Sequence, residues 1–255
     1  MDLRLLFPAV LAFITSTPAL ADHDYRLIRI AGYEMVSHLL VYNNPNLVNS
    51  LSDRESHRSA YSAKLNDLER LTMRLENAEL AKQFTTLKSQ ITLLETSGST
   101  GRDRLPNWIN PILAAQTKLD TAVAARERKE AEGNSPVSSI MLHLARINFY
   151  YQLRTFSTLS VPRLHDAANP IATLDTEILK NFAEAEQLFP TCSKVLGSSL
   201  RDYRFIRSGL LDNRSAWIHD SVHRYTSSIS FRLVPMLKDG ACRALNPSPS
   251  ADGPY

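Results

Sequence analysis

Trp217-Ile218-His219-Asp220-Ser221-Val222-His223-Arg224-Tyr225-Thr226-Ser227-Ser228-Ile229-Ser230-Phe231-Arg232-Leu233 decides the fold. Ile218, Val222, Tyr225, Ile229 and Leu233 follow one another at steps of three and four, the period that lines up one face of an α-helix. The polar residues between them fall on the other face. The whole stretch runs from residue 213 to residue 242 and ends at Cys242, one of two cysteines in the chain. It reads as the last helix of a helical bundle. It also reads as the second copy of a helix that begins at Trp108-Ile109, the other Trp-Ile pair.

The same period recurs along the chain. Ile28, Ala31, Met35, Leu39 and Tyr42 predict a helix over residues 25–42, ended by Asn43-Asn44-Pro45-Asn46. Ser52-Asp53-Arg54-Glu55 is a capping box, with Tyr61, Leu65, Leu68 and Leu75 inward of it. No Gly or Pro stands in residues 46–97. Leu80, Phe84, Leu87, Ile91 and Leu94 then keep the seven-residue repeat of bundle packing. Trp108, Ile109, Ile112, Leu119 and Val123 line a fourth helix over residues 107–130. Gly133-Asn134-Ser135-Pro136 is a linker. The second half repeats the scheme. Leu142, Ala145, Phe149 and Leu153 form one stripe; Leu174, Ile178, Phe182, Ala185 and Phe189 form the next, stopped by Pro190. Leu196, Tyr203, Ile206 and Leu210 precede the Trp217 helix. Two copies of roughly 110 residues follow from period searching. Carrying Pro190 back onto the first copy places a break in the long 46–97 run near Asn77. The sequence therefore predicts an all-α antiparallel helical bundle, built as two tandem four-helix units over residues 22–133 and 134–240, with a disordered tail over 241–255.

Composition narrows the class. Hydrophobic residues make 44% of the chain and charged residues 22%, a globular balance, and 8 glycines are few for a fold of many tight turns. The net charge is +3, with the basic residues scattered among acids rather than clustered on one face, which excludes nucleic acid as a partner. Leu5 to Ile14 is an apolar run, and Ala19-Leu20-Ala21 is a small-x-small cleavage site, so residues 1–21 read as a secretory signal peptide. That makes the protein periplasmic or secreted. Residues 139–151 are interrupted by His143 and Arg146, so the chain is not membrane-spanning. In an exported protein two cysteines pair. Cys192 starts the seventh helix and Cys242 follows the eighth; antiparallel neighbours bring those two ends together.

Ile28-Arg29-Ile30-Ala31-Gly32-Tyr33-Glu34-Met35-Val36-Ser37-His38 resembles the first helix of the periplasmic domain of type IV pilus methyl-accepting transducers, and is similar to that of nitrate/nitrite sensor kinases. Ile28, Ala31, Gly32, Met35 and Ser37 match with one residue deleted before Met35. The Arg that precedes this Met in the family, and grips the anion in the nitrate sensors, is absent. The resemblance implies a helical-bundle sensory domain, present here in two copies. Independently, Arg29 offers a planar fork for a small anion, and Gly32 allows close backbone approach. These two residues are the candidate ligand-binding pair.

Catalytic patterns are missing: no Gly-x-Ser-x-Gly, no His-Glu-x-x-His and no Cys-x-x-Cys. No catalytic residue and no cofactor is assigned. His219 and His223, four apart with Asp220 beside them, form the candidate metal set, a spacing that suits Zn²⁺ or Cu²⁺. A third ligand would come from another segment, His143 or His165, and the sequence by itself assigns no metal. The expected function is a non-catalytic sensory, ligand-binding or interaction module with a protein partner in the periplasm or inner membrane. Two alternatives stand beside it: an inhibitor or immunity-type protein for an exported toxin or enzyme, and a periplasmic metal-binding protein using His219 and His223.

Overall fold

The Gly- and Pro-free run of residues 46–97 does break, and Asn77 shows how. Glu76 takes a φ of 48°, which no helix interior tolerates. The Asn77 carboxamide oxygen then accepts from the Glu79 and Leu80 backbone N–H groups, each at 3.1 Å, and caps a new helix.

The computed structural model describes residues 18–44, 51–97, 105–130, 135–155, 170–212, 218–239 and 242. Eight α-helices lie in them: α1 (Pro18–Asn43), α2 (Leu51–Arg74), α3 (Ala78–Ser97), α4 (Leu105–Glu130), α5 (Pro136–Arg154), α6 (Pro170–Leu188), α7 (Ser193–Leu211) and α8 (His219–Asp239). A 3-10 turn, Pro190–Cys192, joins α6 to α7. The described residues contain no strand, and the fold is an all-α bundle. Residues 18–21 of the expected leader fall in the first turn of α1; residues 1–17, the linker residues Gly133 and Asn134, His165, Trp217 and the tail apart from Cys242 lie outside the described residues. Among the described residues no helix is long and apolar enough to cross a membrane. Two boundaries differ from the sequence pattern. The first helix starts before residue 25, and α2 is already helical at Leu51, one residue before the Ser52 read as its cap.

Packing follows the apolar stripes. α1 lies on α2 and α4, and α3 lies between α2 and α4, so the first four helices close a ring. In the second half α5 lies on α6 and α8, and α7 on α6 and α8, closing another. The rings meet where α1 packs along α5, and one continuous apolar core runs through both. The two seam helices are therefore covered on nearly every side. In α5 even Asn148 and Gln152 are buried, and in α1 Ser37 is. Buried hydroxyls and amides turn back onto their own helices: Ser37 Oγ donates to the Tyr33 carbonyl at 2.7 Å, and Asn43 Nδ2 to that of Leu39 at 2.9 Å.

The cysteines meet as their positions require. Cys192 and Cys242 are disulfide-bonded with Cα atoms 5.3 Å apart, inside the range that native bridges occupy.

Candidate metal centre

The start of α8 is fastened to α5. The Ile218 N–H donates to the Tyr151 hydroxyl at 2.9 Å, and Gln152 Nε2 donates to the His219 carbonyl at 3.3 Å. Arg154 reaches the Leu210 and Asp212 carbonyls, holding the α7–α8 connection to the same helix. One turn into α8, His223 is thereby set beside Asn148, whose Nδ2 lies 3.2 Å from the ring Nδ1.

His223 does not stand alone there. His38, half-buried on α1, and His57, buried on α2 one turn before Tyr61, converge on it. One potential ligand nitrogen from each of the three rings lies within 4.8 Å of the others. His38 Nδ1 and His57 Nδ1 are 3.0 Å apart, and the His38 and His223 rings meet edge-on with centroids 4.0 Å apart. Burial is the main force on the protonation of His38 and His223. It drives the His38 pKa far down, helped by the His223 and His57 rings and Lys64. It pushes His223 down to about 3, with His57 and Lys64 adding to the effect. Rings held neutral keep the lone pairs that bind metal ions.

Three imidazoles clustered with no carboxylate among them bring their ring nitrogens together as a metal site does. A divalent ion of the Zn²⁺ or Cu²⁺ class satisfies all three, since imidazole suits those metals and three protein ligands leave one position for a further group. Two clefts give access. A polar one of about 360 Å³ includes Ser56, Asp220, Ser221 and Arg224 with all three histidines. A larger one of about 560 Å³ has His38 and His223 in its wall.

Of the candidate set His219, Asp220 and His223, only His223 is in the cluster. Asp220 lines the polar cleft and lies 3.3 Å from His219 Nε2. His219 is the first residue of α8, so its carbonyl and ring are taken up by Gln152 and Asp220. His143 lies in another cleft, against Asn181 and Arg146. The missed candidates, His38 and His57, come from different helices, so no spacing joins them. Their one signal was a histidine on the inward face of an otherwise apolar stripe, as His57 stands with Tyr61 and Leu68.

Arg29 and Gly32 both face α4. Arg29 Nε donates to Asp120 Oδ1 and Nη1 to Glu127 Oε2, each at 2.7 Å, so its fork is already matched to carboxylates. A Cβ on Gly32 would come within 2.7 Å of Gln116 Nε2: the glycine makes room for a neighbouring side chain. Arg29 also lines the charged cleft that holds Arg26, His143, Arg146 and Glu127.

Comparison with protein-family models, curated proteins and solved structures finds none that matches this chain.

Proposed function

We propose that this protein is an exported, non-catalytic helical bundle that holds one transition-metal ion of the Zn²⁺ or Cu²⁺ class on His38, His57 and His223. The observation that carries the reading is the convergence of three largely desolvated imidazoles from α1, α2 and α8. Residues 1–21 support export, and the Cys192–Cys242 bond suits an oxidising compartment. Two of the ligands belong to the first ring of helices and one to the second. An ion bound to all three ties the rings together, which gives metal occupancy a mechanical readout for a protein partner. That is the sensory role in its most concrete form. The similar closure of the two rings supports their reading as two tandem copies of one four-helix unit.

Competition titration of chelator-stripped protein against a chromophoric chelator tests the proposal. One Zn²⁺ or Cu²⁺ per chain is expected. Loss of even a group that only orients a ligand costs about 10–100-fold in affinity, so His38→Ala, His57→Ala and His223→Ala should each cost at least about 100-fold. His219→Ala should cost little. Absence of stoichiometric binding, or unchanged affinity in the triple variant, would overturn it.

A further inference from the structure

We infer that the larger cleft beside the histidine cluster takes a small amphiphile, whose anionic oxygen-donor head completes the coordination of the metal and whose apolar body lies along α1 and α8. This rests on the metal reading above.

The cleft is graded from end to end. On α1 its wall runs from Leu27 and Ile30, through Glu34, to His38. On α8 the order is reversed, from His223, through Ser227, to Phe231 and Val234. The α2 wall is charged along most of its length, Lys64, Asp67 and Arg70, with Leu71 beside them. The α1 and α8 walls thus agree: imidazoles at one end, hydrocarbon at the other. From Leu27 to His38 is roughly 16 Å of helix, and a volume of about 560 Å³ is that of a small-molecule site.

Charge selects the head. Three neutral imidazoles leave the charge of a divalent ion uncompensated. Glu34, the carboxylate of this cleft nearest in sequence to His38, is paired with Lys64 at 2.6 Å. Asp220 opens on the other cleft and is engaged by His219. An incoming carboxylate or hydroxamate supplies the missing negative charge and an oxygen ligand. The body is selected by Phe231, 68% exposed on the cleft wall and in need of a cover.

Co²⁺-loaded protein, followed by its visible d–d bands, tests this with acetohydroxamate, hexanohydroxamate and octanohydroxamate as probes. Each should shift the bands, with affinity rising by about fourfold per added methylene. Phe231→Ser, a change at an exposed position, should leave Co²⁺ and acetohydroxamate affinities unchanged and flatten the dependence on chain length. Failure to take up Co²⁺ would overturn the metal reading and this inference with it. Normal Co²⁺ uptake with no band shift, with affinities independent of chain length, or with the chain-length dependence intact in Phe231→Ser would overturn the amphiphile alone.

Discussion

Arg29 joins two helices through two carboxylates, and Glu127 is shared with Arg26. Removing it takes the cation from Asp120 and leaves Glu127 with Arg26 alone, in a mostly buried position. Arg29→Ala should therefore destabilise the fold by about 2–3 kcal/mol, while metal affinity, set elsewhere, stays the same; chemical denaturation and the chelator titration read the two effects. His143 makes a different prediction. Burial first, then Arg146, Arg26 and Arg29, holds its pKa down to about 4. An unfolded histidine titrates near 6.5, so between about 6.5 and 4 the unfolded chain takes up a proton that the folded chain refuses. The contribution of His143 to stability is therefore flat above that window and turns unfavourable as pH falls through it. His143→Gln should lose less stability than the wild type between pH 7 and pH 5, measured by denaturant midpoints. Arg29 also shows the limit of reading residues singly. Its chemistry, a planar cation, was legible in the sequence. Its partners, 91 and 98 residues away, were not.

At the scale of the element, three-and-four spacing carried most of the fold. The stripes of α3 and α7 named their buried residues because an amphipathic helix has one way to hide them. Break positions depend on single residues, and here Asn77 serves as cap. Asn77→Ala should cost about 1 kcal/mol and loosen the start of α3, visible as faster amide exchange at Glu79 and Leu80. The α7–α8 pair is fastened at one end by the disulfide and at the other by Arg154. Cys192 and Cys242 enclose a span of 50 residues. Replacing both by Ser should lower stability by about 4 kcal/mol in the chain-entropy picture, read from denaturation of the oxidised wild type against the variant. The pairing was legible because antiparallel neighbours must bring those ends together.

The whole molecule decides what no element reveals. Periodicity says which face of α1, α2 and α8 turns inward; it does not say which inward faces meet. His38, His57 and His223 become neighbours only once α1 has packed along α5, and α5 has positioned the start of α8. The metal candidates legible in the sequence were accordingly those of one helix, and only His223 survives from them. A ligand that holds both rings of helices should stiffen the entire bundle. At a free Zn²⁺ concentration about 100 times Kd, stability should rise by about 2.7 kcal/mol, seen as a higher melting temperature. His57→Ala should abolish the rise.

The distribution of the three ligands along the chain also sets a timetable. His38 and His57 lie on adjoining helices near the beginning, while His223 arrives on the last helix. During synthesis the early pair emerges long before its third member and offers an ion too few donors to retain it. On the proposed site, ion capture would consequently be a late event, gated by the docking of α8. If the proposed site binds, a loaded protein is one whose chain has been made through α8 and assembled, and metal content would then measure folding quality as well as metal supply.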